Sequence, residues 1–573
     1  MTAQHEVLNG QSSSVRDDST KITLRQDIVE EFPDPDTEPE AFQALIADKA
    51  DATTEAAEDG KAKRPSKVKE GPSVTTQIER IAAEEYELGL STSNDAFATK
   101  RGGPPIAQML RGGPSALRAA LANSYFERFG TVANTTALAG VMELLTHRAS
   151  QTNERVELPM RVGESQGTLW LDLGRPNGGA VEITEGGWRV TRPAVIWRRN
   201  GVTSPLPDPV HGGSLADLWS FVNVAPGDRD LVIGWLLSML FPGIPHPILA
   251  ISGEQGSAKT TTGNFLKSII DPSGSDFVRP PKDEDRWAHI VGTSWIVGVD
   301  NVSHIPDWWS DAMCRAVTGD GDISRKLYSD DDSIVRSFRR GLILNWISIG
   351  ALRGDLGERL LNIEIQRITE DMRKEDSVVK AEFMSARPGI LGGLLDLCVE
   401  VLKVLPQVHP AKLPRMADFA RRLAAMDMVL GTKAFEAYAA KGDDLADEIV
   451  DGDEIGRTIT ELMASCPDGR WAGTASELLA DLAGLVEHRS KYWPQSPKAL
   501  SSSMKRLAPS LARMGILVEI GKSNGKRRIV LQEIRAISPE APTVEIVDAE
   551  EEKSAPDEAQ TDIDDLLTLR QAA

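Results

Sequence analysis

From Ile248 to Thr260 the chain reads ILAISGEQGSAKT, an apolar run that breaks into small residues and ends on a lysine and a threonine. Those residue types at that spacing can cradle phosphate. Gly253 and Gly256 let backbone N–H groups turn inward onto phosphate oxygens, the Lys259 ammonium reaches the β and γ phosphates, and the Thr260 hydroxyl ligates Mg2+. A helix opening near Lys259 would aim its positive end at the same anion. ATP and Mg2+ are therefore the expected cofactors, with Gly253, Glu254, Gln255, Gly256, Ser257, Ala258, Lys259, Thr260 and Thr261 as the binding residues. Ala258 stands where the G-x-x-x-x-G-K-[ST] pattern has its second glycine, and it adds one methyl while Gly253 and Gly256 remain.

Three downstream elements arrive in an order that strengthens this reading. Residues 295–301, WIVGVDN, form a buried strand run ending in Asp300, 41 residues after Lys259, where a carboxylate would hold the Mg2+ water shell. Residues 341–346, GLILNW, are a second apolar strand that closes on the polar amide Asn345. Arg353 and Arg359 follow in LRGDLGERLL, which leads into the strand NIEI at 362–365. Asp300 is expected to bind metal with Thr260. Its flanking residues, Val299 and Asn301, supply no second acid. The general base is thus open: Asn301 only positions water, or Asp307 or Asp311 swings in, or hydrolysis is slow.

The span from Gly253 to Ile365 resembles the superfamily 3 helicases and the related phage and plasmid primase-helicase ATPases over about a fifth of the chain. Gly253 to Thr260 is similar to their motif A, Val297 to Asn301 to motif B and Leu342 to Asn345 to motif C; Asn345 also matches the sensor position of AAA+ ATPases. The alanine before Lys259 resembles the phosphate loop of minichromosome-maintenance helicases. What the resemblance implies is an AAA+-type P-loop core, with Lys259, Asp300, Asn345 and Arg359 in the catalytic roles. It also implies a ring, usually a hexamer, in which Arg359 of one subunit completes the site of its neighbour. Residues 318–332, TGDGDISRKLYSDDD, resemble the hairpin such helicases project into the pore, which would set Arg325 and Lys326 against DNA phosphates and Tyr328 under a base. The adjacent Asp330, Asp331 and Asp332 are unfavourable to phosphate, so an ordinary surface hairpin stands as an equal alternative.

These groups need elements to hold them, and the chain is long enough for several. At 573 residues it exceeds one core, and its composition separates into parts. The net charge is −21, but residues 1–60 carry 15 acids against 4 bases and residues 536–573 carry 11 against 2, so the body between is almost neutral. The expected organisation is multidomain α/β: a disordered acidic region (1–75), a small α+β domain (76–205), the ATPase core (206–370), a helical region (371–451), a winged-helix-like block (452–535) and a disordered acidic tail (536–573). Cys314, Cys398 and Cys466 are too scattered for a zinc site or a disulfide framework. No apolar run spans a membrane, the longest being Leu231 to Phe241, and no secretion signal is visible, so a cytoplasmic location and no membrane partner are expected. Residues 76–205 show no zinc motif or paired carboxylates, so no priming activity is expected of them.

In the block 452–535, Thr474 and Glu477 form a capping box, Ser496-Pro497 opens a second helix, and two strand runs bracket GKSNG at 521–525. Leu500, Met504, Leu507, Leu511 and Met514 recur at helical spacing, with Pro509 expected to kink or divide the helix. From Arg489 to Arg528 there are ten Lys or Arg against the single acid Glu519. Lys498, Lys505 and Arg506 on the second helix, with Lys522, Lys526, Arg527 and Arg528 on the hairpin, are therefore expected to contact DNA, single-stranded or duplex. A basic protein-binding block is the alternative. The tail element DIDDLLTL, 562–569, suits docking of a replication partner or competition with DNA for the basic hairpin. The expected function is an ATP-dependent DNA helicase or translocase of a phage, plasmid or integrated mobile element, acting in replication. The alternative is an ATP-gated DNA-binding initiator that assembles without being a motor.

Overall fold

The computed structural model describes residues 72–111, 116–254, 256–274, 277–319, 322–325, 333–336, 339–346, 354–368, 373–486, 488–490, 493–523, 526–534 and 544–546. The expectations for the acidic regions 1–71 and 547–573 lie outside them, as do Gln255, Lys326, Tyr328 and Arg353.

The chain first builds α1 (Val74–Glu85), β1 (Tyr86–Ser91), β2 (Ala96–Lys100), β3 (Gln108–Met109), α2 (Leu117–Phe129), α3 (Thr135–Ser150) and β4 (Arg155–Val156). Ser73 and Asn134 cap α1 and α3 by accepting from the N–H groups of Thr76 and Ala137. The strand order is β3-β2-β1-β4, and Ile78, Ile81, Leu117, Leu121 and Val141 fill a core belonging to this unit alone. A second sheet follows as a meander: β5 (Val162–Ser165), β6 (Thr168–Asp172), β7 (Ala180–Thr184) and β8 (Gly187–Thr191). Gln166 and Gly167 join β5 to β6 with φ of 51° and 76°, the two left-handed residues a tight hairpin of matching twist requires. Its apolar face, Leu169, Leu171, Val181, Ile183 and Trp188, merges with the core of the following region. Residues 76–205 therefore hold two separate sheets.

The central sheet explains why the later strands read as unbroken apolar runs. It contains β9 (Ile248–Ser252), β10 (Phe277–Val278), β11 (Ile296–Val302), β14 (Gly341–Trp346) and β15 (Leu360–Glu364), all parallel in the order β10-β11-β14-β9-β15. Between β11 and β14 lies an antiparallel hairpin, β12 (Asp322–Arg325) with β13 (Ser333–Arg336). Strands covered on both faces need side chains that can be buried at every position. Alternate residues accordingly enter different cores: Leu249, Ile251, Ile343 and Ile363 join one, and Ile248, Ala250, Leu342 and Leu344 the other.

The first core is closed by α4 (Arg229–Ser238), the apolar run expected as a buried helix, and by α5 (Lys259–Ile270). The second is closed by α6 (Glu284–Val291), α7 (Asp307–Thr318) and the one-turn α8 (Gly354–Gly357). Beyond the sheet come α9 (Asp376–Val404), β16 (Val408–Pro410), α10 (Ala417–Leu430) and α11 (Ala434–Gly452), and α9 packs on α5, β7 and β8. No helix among the described residues is long and apolar enough to cross a membrane.

The last block consists of α12 (Glu454–Ser465), β17 (Arg470–Gly473), α13 (Ala475–Leu485), α14 (Pro497–Arg513), β18 (Ile516–Ser523) and β19 (Lys526–Glu533), the strands ordered β17-β19-β18 and antiparallel. The Thr474–Glu477 capping box forms, and Ser496 caps α14. Pro509 lies inside α14, which continues to Arg513, so it does not divide the helix. Leu478, Leu482, Leu500, Leu507, Leu511 and Leu531 share one apolar core with Ile248, Val297 and Leu344 of the central sheet. A short β20 (Val544–Ile546) returns to pair antiparallel with β16.

One buried cation ties the second sheet to the central one. Arg161, 1% exposed, donates through Nε to Asp271 Oδ1 at 2.9 Å and through its Nη atoms to the carbonyls of Asp172, Ser204 and Pro272. The other Asp271 oxygen accepts from the N–H of Ile296 at the start of β11. Removing one partner leaves an uncompensated buried charge, so Arg161→Ala is expected to cost about 3 to 5 kcal/mol. Denaturant unfolding should show a midpoint well below that of the wild type.

Candidate functional site

β9 ends at Ser252, and the chain turns through residues 253–258 before α5 begins at Lys259. Gly253 has φ 149°, and a Cβ there would meet the Ile365 carbonyl oxygen at 2.7 Å, so only glycine lets the loop pass the end of β15. Ala258, at φ 62° and ψ 32°, occupies the left-handed region. The second glycine of the pattern is thus missing where backbone freedom matters most, and the alanine carries strain of roughly 1 to 2 kcal/mol. The Lys259 Nζ donates to the carbonyls of Gly253 and Glu254, both at 2.7 Å, folding the ammonium across the mouth of the loop. Burial lowers the Lys259 pKa below its ordinary value, and the Asp300 carboxylate opposes that shift.

The sheet order brings two distant residues, Asp300 and Asn345, to Thr260 at the end of this loop. Thr260 Oγ1 donates toward both Asp300 oxygens at 3.2 Å, and Asn345 Nδ2 donates to Asp300 Oδ1 at 3.0 Å. Asn345 Oδ1 is buried and has no protein partner. The pairing of β11 with β14 slips between Val299 and Val302, and Asn301 sits in that bulge with φ 56°. The bulge re-aims the strand end at Asp300 and turns Asn301 outward, where it is exposed. Asp307 and Asp311 are exposed on α7.

Arg359 is placed elsewhere. It is 7% exposed and donates through Nη1 to Asp355 Oδ1 at 2.6 Å, while its carbonyl accepts from Ile248 N at the start of β9, the end opposite the loop. Burial disfavours the Asp355 carboxylate, but the bond and charge of Arg359, with the charge of Arg415, hold its pKa below the usual range. In its own chain, then, Arg359 does not meet Lys259, Thr260 or Asp300.

The expected DNA-contacting residues divide in the same way. Lys498 and Lys505 are exposed on α14, and Arg527 and Arg528 are exposed on β19. Lys522 pairs with Arg527 across the hairpin and Lys526 with Ser523. Arg506 departs from expectation: it is half-buried, with Nη2 3.0 Å from Asp453 Oδ2, and Asp453 is the residue that caps α12. Arg325 lies at the end of β12, paired with Ser333.

Sequence reasoning missed Arg367. It follows β15, and its guanidinium lies 3.6 Å from the Glu254 carboxylate on the loop. A lone arginine past a strand end carries no local signal; only the β9–β15 pairing shows where it falls.

Residues 215–448 match the family model described as the actinomycete integrative conjugative element replication protein, AICE RepA, and residues 455–546 match the AICE RepA C-terminal domain. The chain belongs to the AICE RepA replication proteins. The first RepA stretch contains the loop, Asp300, Asn345 and Arg359; the second runs from α12 to β20. No curated protein matches the chain. Similar solved structures include the apo C-terminal region of NrS-1, at 10% identity and TM-score 0.37 over 80% of this chain and 100% of that one. SCCmec type IV Cch, titled an active helicase, is 10% identical with TM-score 0.38 over 78% of this chain and 93% of that one. JCV helicase is 16% identical with TM-score 0.22 over 40% and 63%. Likenesses this distant transfer no activity to the RepA chain.

Replacing Ala258 with glycine should relieve the left-handed strain at the head of α5. The expected gain is up to about 1 kcal/mol after glycine's entropic cost. Comparison of thermal midpoints for Ala258→Gly and the wild type reads it directly.

Proposed function

We propose that this replication protein is an ATP-dependent DNA helicase or translocase, built on an AAA+-type P-loop core and working as a ring on the DNA of its element. The observation that carries the reading is the convergence of Thr260, Asp300 and Asn345 at the end of a glycine-rich strand-to-helix loop. One residue from the first turn of α5 and two from neighbouring strands meet there, and each has the type the chemistry requires.

The residues fit Mg2+ and ATP. A hydroxyl and a carboxylate lie together within 3.2 Å, and the orphaned Asn345 Oδ1 is a buried acceptor in want of a donor such as a water. Thr260 and Asp300 would hold Mg2+, which when bound neutralises charge on the transferring phosphoryl group. Lys259 exchanges the two loop carbonyls for phosphate oxygens, and the N–H groups at the head of α5 face the same anion. Asn345 orients the attacking water. Asn301 is turned outward by the bulge and is amide rather than acid, so proton acceptance falls to Asp307, Asp311 or solvent. In a ring, Arg359 must leave Asp355 to reach the neighbour's site, which would couple hydrolysis to assembly.

On the DNA side, α14 and the β18–β19 hairpin have the arrangement of a winged helix, with Lys498 and Lys505 on the helix and Arg527 and Arg528 on the wing. The competing reading, an ATP-gated initiator that binds DNA without translocating, draws on the absent second acid beside Asp300.

Steady-state ATP hydrolysis with and without single-stranded DNA separates the two. Strong stimulation that vanishes in Lys259→Ala supports the motor; ATP binding without turnover supports the initiator. Asp300→Ala is expected to abolish turnover, and undiminished hydrolysis would show that Asp300 is not the metal ligand. Replacing Arg527 and Arg528 by alanine should weaken DNA binding and lower the salt slope by roughly two, about one for each lost phosphate contact. An unchanged slope would favour a protein partner for this block.

A further inference from the structure

The loop holds a second acid–base relation that neither the pattern of its residues nor the RepA family match assigns. Glu254 stands at the centre of it. Its backbone carbonyl accepts from Lys259 Nζ at 2.7 Å, and its carboxylate faces Arg367 Nη1 at 3.6 Å. One residue thereby touches two cations at the loop mouth, Lys259 and Arg367. Arg367 is not on a wandering segment. Ile365 N donates to Ser252 O at 2.9 Å, Gln366 N donates to Asn223 O at 3.0 Å, and Asn223 Nδ2 returns a bond to Gln366 O at 2.9 Å. The backbone leading into Arg367 is thus fixed beside the loop, while the side chain itself is 69% exposed.

We propose that Arg367 is a nucleotide-binding residue that contacts the phosphate chain, and that Glu254 is its internal carboxylate partner whenever no phosphate is bound. The proposal rests on the nucleotide reading of the loop. An exposed carboxylate–guanidinium pair is worth little in water, since both groups are 69% to 71% exposed and screened. A phosphate chain carries several charges and offers a guanidinium paired oxygens, which makes a stronger contact than Glu254 does. Exchange of partners is therefore downhill when nucleotide arrives. Glu254 then lies beside like charge and opposes binding, so the pair sets affinity from two directions.

The test is a titration of the full-length protein with fluorescent ATP and ADP analogues plus Mg2+ at fixed salt, for the wild type, Arg367→Ala, Arg367→Lys, Glu254→Gln and the Arg367→Ala/Glu254→Gln double variant. Arg367→Ala should weaken both nucleotides about tenfold, the scale of one lost charge-assisted contact, and flatten the salt dependence. Arg367→Lys should recover part of the loss. Glu254→Gln should tighten binding several-fold, and that gain should shrink in the double variant. Thermal midpoints should be unchanged, because both side chains are exposed. Binding by Arg367→Ala within twofold of the wild type, or effects of the two substitutions that simply add, overturns the proposal while leaving the nucleotide reading intact. Absence of nucleotide binding in the wild type, or binding indifferent to Lys259→Ala, instead overturns the nucleotide reading itself.

Discussion

Burial of the central sheet on both faces is the constraint from which the rest of the molecule follows. Each strand of that sheet must offer apolar side chains to two cores at once, and a parallel order forces all five to finish at the same edge. Polar groups are therefore few within those strands, Asn362 of β15 being one, and most gather at or near the ends. Ser252, Asp300 and Asn345 mark three such ends, with β9 next to β14 and β14 next to β11. The meeting of Thr260, Asp300 and Asn345 is thus a product of strand order.

This also explains how much could be read from the sequence. The loop, the strands around it and α14 were legible because their signals are local: an apolar run, a glycine turn, a capping box, a repeat at helical spacing. Asp300 and Asn345 were legible because a polar residue ending a buried strand stands out from its neighbours. Long-range partners were not. Arg506 reads as a free cation on a basic helix, yet it is held by Asp453, 53 positions away. Arg161 shows nothing in sequence of the four groups it serves. The second sheet, β5 to β8, looked like part of a small independent domain because alternation reveals a buried face without saying against what; here that face meets α9. Ala258 is a subtler case, since the cost of its methyl depends on a dihedral angle that only the folded loop reveals.

Charge is handled differently at the two ends of the sheet. At the end carrying the loop, cations are parked on acceptors they can leave: Lys259 on two carbonyls and Arg367 on an exposed carboxylate. At the opposite end Arg359 is buried against Asp355, with Arg415 bridging Asp355 and Glu358. The first arrangement suits prompt exchange with a soluble anion. The second requires a larger rearrangement, since a buried guanidinium must give up its carboxylate before it can serve another anion.

The shared core of the last block has a consequence for inheritance. Leu478, Leu500, Leu507 and Leu531 pack into the same apolar interior as Ile248, Val297 and Leu344, so the two matched family stretches are separate in sequence but not in packing. A crossover near residue 450 would set one sequence's leucines against another's sheet. Most such chimaeras would carry a cavity or a clash at the join. The boundary between the two stretches is therefore a poor place to join segments of different origin, although it falls between two separately matched families of sequence.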